Sequence, residues 1–151
     1  MTTVKTVKNN KGFTLLELIL VIALGAVIMA AAIMLYQKAR DSAIMDENAK
    51  AVQAIMAGLS ELRLYTGVLP SGATWPAATN AYVDAKLRAQ YGYSCSGGTL
   101  TLTTPVLDSN SQASGLLTKF TDQGLCVAGS VVNSTQVACT PTGFQGSAGC
   151  P

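Results

Sequence analysis

The chain has 151 residues, 49% of them hydrophobic and only 12% charged, with a net charge of +2 and no histidine. That length allows one domain. So small a charge excludes the basic footprint of a nucleic-acid-binding surface, and the lack of histidine removes one of the usual zinc ligands.

The first element is a short basic leader. Lys5, Lys8 and Lys11 precede any acid, and removing their three charges from the net +2 leaves −1 for everything from Phe13 onward. The next element is apolar: the eighteen residues from Leu18 to Leu35 carry no polar side chain. At about 1.5 Å per residue they make a helix of roughly 27 Å, close to the hydrocarbon core of a bilayer. The lysines orient it, with the N-terminus on the cytoplasmic side and everything after residue 36 outside. One acid, Glu17, stands just before the run. A carboxylate at the centre of a membrane helix costs about 2.5–3.5 kcal/mol, so such groups usually have a partner or a task. A position near one end lowers that cost.

Beyond Leu35 the apolar residues become periodic. Met45, Ala49, Val52, Met56 and Leu59, widened by Ile55 and Leu62, mark one face of a helix. Gly67 and Pro70 then form a stop signal. The expectation is a single helix from about Phe13 to Thr66, roughly 80 Å long, with its apolar half protruding. Gly25 and Gly58 are soft points, each costing about 1 kcal/mol relative to alanine. Gly25 is the expected place for local unwinding or a close helix approach.

All five prolines and eleven of the fourteen glycines lie from Gly67 onward, so the remainder is rich in turns. Pro70 to Asn80 reads as a linker. Asn80 is placed to cap a short helix through Tyr91, and Thr99–Thr104 alternates like a half-buried strand. A short helix follows, ended by Gly124. Leu125–Val132 and Thr135–Cys139 read as a hairpin across Asn133-Ser134, and the last stretch as a Gly-rich loop. The fold class is α+β: a long helix packed on a small antiparallel sheet.

Cys95, Cys126, Cys139 and Cys150 all follow the apolar run, in the compartment that favours oxidation. Two disulfides are expected rather than zinc, because there is no C-x-x-C pair. Of the three possible pairings, Cys95–Cys126 with Cys139–Cys150 is the one anticipated. Asn133-Ser134-Thr135 fits a glycosylation acceptor, but a turn explains it equally well, and no modification is expected. There is no G-x-S-x-G and no phosphate-binding Gly-Lys loop. Asp84, Asp108 and Asp122 read as solvated surface. Neither enzyme activity, cofactor nor metal is expected.

"KGFTLLELILVIAL", Lys11 to Leu24, resembles the processing site of type IV pilins and pilin-like proteins. The resemblance implies that residues 1–12 are a leader cut by a prepilin peptidase between Gly12 and Phe13. It also implies that the new Phe13 amine is methylated and that Glu17 serves assembly, paired with the Phe13 amine of another copy. It further implies a hydrophobic transmembrane and filament-core helix over residues 13–36, an amphipathic continuation over 37–66, and a β-rich head over 67–151 with a disulfide-bonded C-terminal loop. The function implied is that of a homo-oligomeric pilus subunit, held in the inner membrane as a precursor and extracellular once assembled. Its partners would be an assembly platform and a separate ATPase, and adhesion is among the uses of such fibres. The tract "MLYQKARDSAIMDENAKAV" and the lack of a kinking proline are similar to the type IVb branch.

Three other readings compete. A minor pilin, or a pseudopilin of a secretion system, would carry the same signal, although cysteines in the head favour a true pilin. A secreted protein could be cut after Ala30-Ala31-Ala32, but the apolar run is too long for an ordinary signal peptide. A membrane-anchored enzyme lacks any visible catalytic group. The first residue of the mature protein separates the processing routes: Phe13 or Ile33.

Overall fold

The computed structural model describes residues 13–144 and Cys150; the leader, residues 145–149 and Pro151 lie outside the described residues, and with them the expectations for Gly12 and for the Gly-rich C-terminal loop. Helix α1 runs Leu15–Thr66, followed by a 3-10 turn at Ala77–Ala81 and a short helix α2, Ala85–Gln90. Strands β1 (Gly92–Ser96) and β2 (Thr99–Thr103) precede helix α3 (Asn110–Asp122), and β3 (Cys126–Val132) and β4 (Gln136–Pro141) complete an antiparallel sheet in the order β1-β2-β4-β3. By its internal contacts the chain divides into residues 1–40 and 41–151.

In the first unit, α1 is continuous through Gly25, which has nothing within 4 Å of where a Cβ would stand. The local unwinding expected there is not seen. The large hydrophobic side chains along Phe13–Tyr36 are exposed, from 56% at Ile19 to 82% at Phe13.

The second unit has a core of its own. Val52, Ile55, Leu59 and Leu62 of α1 are buried against Leu100, Leu102, Val137 and Phe120. Ile55 and Leu62, which the periodicity put at the edge of the stripe, are at its centre, and Met45 and Met56 are only half-buried. Asn48 shares this face although it is polar. Its amide is satisfied twice: Nδ2 donates to the Ile44 carbonyl at 2.8 Å, and Oδ1 accepts from the Tyr91 hydroxyl at 2.6 Å. A buried amide with both ends bonded avoids the desolvation cost that would otherwise exclude it.

The helix ends as read: Gly67 adopts φ +80° and its N–H donates to the Arg63 carbonyl at 2.8 Å. The cap of α2 differs. Asp84, not Asn80, accepts from the Lys86 N–H at 2.7 Å, and Asn80 sits in the 3-10 turn, accepting from Arg88 at 2.5 Å. The segment must turn here, because Thr79 and Val83 are buried while Asn80 and Ala81 are exposed. Asp84 is exposed, as read, and also caps α2.

Strand β1 has no counterpart among the sequence-read elements. Its hairpin to β2 turns on Gly97-Gly98, both at positive φ (56° and 79°), the geometry of a tight two-residue hairpin loop. The β3–β4 hairpin does turn at Asn133-Ser134, with φ of 51° and 63°. Helix α3 is capped by Ser109, whose hydroxyl accepts from the Gln112 N–H at 3.3 Å. It is held to α1 by Gln112 donating to Asp41 at 2.6 Å and by an ion pair of Lys119 with Asp46. The Lys119 ammonium holds the Asp46 carboxyl below its ordinary value.

All four cysteines are in disulfides, but as Cys95–Cys150 and Cys126–Cys139, which overturns the anticipated pairing. The sheet order is the reason. Cys95 is on β1 and Cys126 on β3, opposite edges of the sheet with two strands between them. Three strand spacings of about 4.8 Å put such residues roughly 14 Å apart, twice the Cα reach of a disulfide. Cys126 instead meets Cys139 across its own hairpin, Cα to Cα 5.7 Å, and Cys95 is left to tether Cys150 at 5.5 Å.

Candidate functional site: the start of the long helix

The residues singled out in the sequence meet at the first turn of α1. Thr14 caps it: its hydroxyl accepts from the Glu17 N–H at 3.3 Å and its carbonyl from the Leu18 N–H at 3.2 Å. A capping hydroxyl is worth about 1 kcal/mol. Thr14-x-x-Glu17 is the capping-box spacing, a signal present in the sequence and overlooked there. Glu17 also lies in the first turn, where the positive end of the helix dipole favours a carboxylate. The helix dipole therefore lowers the cost of an acid at this place before any partner is considered.

Phe13 and Glu17 are both exposed. They are four positions apart, about 6 Å of helix rise. The Glu17 carboxylate has no ion-pair partner among the described residues. Around it the apolar surface of α1 is uncovered on every side, and α1 is long and apolar enough to cross a membrane. Chemically, the site offers one anionic group at the end of a long greasy rod, next to the peptide bond that leads to Gly12.

Residues 7–33 match the family model for the prokaryotic N-terminal methylation motif. The chain carries the processing signal of type IV pilin-like and pseudopilin proteins. That signal implies action by a prepilin peptidase and assembly into a type IV filament system, and with the apolar helix it fits a membrane-anchored precursor. The match stops at residue 33, so the head of this chain contributes nothing to it. Comparison with curated proteins and with solved structures found no match to either.

The cysteines are far along the chain from this site and serve the head. No group of three or more Cys, Asp or Glu residues able to hold a metal occurs among the described residues.

Proposed function

We propose that this chain is the structural subunit of a type IV pilus. It enters the inner membrane as a prepilin, loses residues 1–12 between Gly12 and Phe13, is methylated on the Phe13 amine, and polymerises through residues 13–36 into an extracellular filament. An assembly platform and its separate ATPase drive the polymerisation, and the subunit itself performs no catalysis. The supporting observation is Glu17, the one acid in residues 13–36, one helical turn from Phe13 on a helix whose apolar side chains there are exposed.

Cleavage gives Phe13 an amine whose ordinary pKa of about 7.7–8.0 keeps it largely protonated at neutral pH. In a bundle of such helices, Glu17 of one copy neutralises the Phe13 ammonium of another. The four-residue offset then sets an axial stagger of about 6 Å between them. The test is Glu17→Val, with membrane insertion, leader removal and sheared-filament yield measured together. Insertion and cleavage persist and filaments are lost; a normal filament yield contradicts the assembly role. The two disulfides favour a pilin over a secretion pseudopilin. In isolated fibres a major subunit accounts for nearly all the protein, and a minor one for a trace.

A further inference from the structure

Asn133-Ser134-Thr135 is the one Asn-x-Ser/Thr triplet in the chain. The turn expected there is present, and it is made by the backbone. Asn133 and Ser134 supply the two positive φ angles, 51° and 63°, that a tight hairpin loop requires. The Asn133 side chain takes no part in it: its amide makes no hydrogen bond among the described residues. Asn48 and Asn80, by contrast, are both engaged in the fold, the first with Ile44 and Tyr91 and the second with Arg88. Asn133 and Ser134 are exposed between β3 and β4. The Thr135 hydroxyl donates to the Asn133 carbonyl at 3.3 Å, which keeps it beside that residue.

We infer that Asn133 is an N-glycosylation site. The triplet is an acceptor where it lies on a surface loop of a protein delivered outside the membrane, and the exposed hairpin turn is such a loop. Asn133 Nδ2 forms a bond to the anomeric carbon of an oligosaccharide carried on a membrane polyprenyl diphosphate. The bond from that carbon to the diphosphate oxygen breaks, and the diphosphate leaves with the electron pair. One amide proton passes to a base of the transferase. Thr135 completes the acceptor as the hydroxyl residue at its third position. The added sugars displace no hydrogen bond of the Asn133 amide and open no buried surface, so the hairpin and its Cys126–Cys139 disulfide stay as they are. They stand at the end of β3 and β4 and clothe that part of the head in neutral hydroxyls.

This inference rests on the proposed placement of the head outside the membrane, and not on filament assembly. The test takes the full chain from the cells that make it and measures its intact mass, with disulfides counted by alkylation before and after reduction. Wild type is compared with Asn133→Gln, Thr135→Ala, Thr135→Ser and Ser134→Gly. The changes lie at an exposed turn, and retention of both disulfides checks that each variant folds. Wild type, Thr135→Ser and Ser134→Gly are heavier than the polypeptide by whole sugar residues, and Asn133→Gln and Thr135→Ala lose that gain. A wild type with both disulfides and no added sugar overturns the modification alone. So does a gain that survives Asn133→Gln, or one that disappears in Ser134→Gly and so belongs to the serine hydroxyl. Free cysteines in the wild type overturn the placement of the head as well.

Discussion

Gly58→Ala sets helix propensity against packing. By propensity alone, alanine in the middle of α1 gains about 1 kcal/mol. In the structure, a Cβ at Gly58 would stand 2.9 Å from the Tyr82 carbonyl carbon, closer still to its oxygen, and 3.2 Å from Val83 Cγ2. The obstacle is backbone and cannot rotate away. It is also held in place: the Tyr82 and Val83 N–H groups both donate to the Thr79 carbonyl, at 3.1 and 2.9 Å, and Val83 is buried. The whole turn from Ala77 to Val83 must therefore lift off the helix. Overpacking costs typically about 1–3 kcal/mol, and an immovable neighbour puts this case at the upper end. The net effect is a loss of roughly 1–2 kcal/mol, or a Tm lower by about 4–8 °C for a domain of this size. The assay is thermal or urea unfolding followed by the fluorescence of Trp75, the only tryptophan, which is half-buried with its indole N–H on the Tyr91 carbonyl at 2.6 Å. A Tm that rises would refute the close-approach argument and return Gly58 to a mere soft point.

The two disulfides differ in weight. Cys95–Cys150 closes a separation of 55 residues and Cys126–Cys139 one of 13, so loop-closure entropy assigns them about 4.2 and about 2.9 kcal/mol. Paired Cys→Ser variants, compared by urea midpoint, should lose more from the first than from the second. At high pH the head loosens. Burial raises the Tyr91 and Tyr93 hydroxyls from 10.0 to about 12 each. The unfolded chain releases those protons first, so the contribution is full below about pH 10 and is lost as pH rises through about 12. Urea midpoints from pH 9 to 12 should fall more steeply for wild type than for Tyr91→Phe with Tyr93→Phe.

The helical half of this fold was open to a reader of the sequence because its signals are local. An eighteen-residue apolar run, an i, i+3, i+4 stripe and a Gly–Pro stop depend on near neighbours alone, and α1 ends at Thr66 where they place it. Turn chemistry was nearly as legible. Asn133-Ser134 is a hairpin turn in the structure, and Gly97-Gly98 carried the same signal for β1, unused because "GYSCS" is short and polar. What stayed hidden depends on partners distant in sequence. The cysteine pairing follows from the strand order, which no spacing reveals. Asn48 is buried only because Tyr91, forty-three positions away, supplies its hydrogen. Gly58 looked like a weakness because the Tyr82 backbone that needs it is not a helix neighbour. At the candidate site, Glu17 stood out as the one acid beside the apolar run, whereas Phe13 was singled out only through the resemblance of its surroundings to a processing site. Thr14 was missed because a cap is recognised only once the helix start is fixed.

The central claim is that Phe13, freed by cleavage, is the cation Glu17 answers. Intact-mass and N-terminal analysis of the chain recovered from filaments tests it most directly. The account predicts a first residue of Phe13 carrying one methyl group on its amine. A chain that begins at Ile33, and so lacks Glu17 altogether, or one that keeps its leader, and so has no free Phe13 amine, would contradict the account.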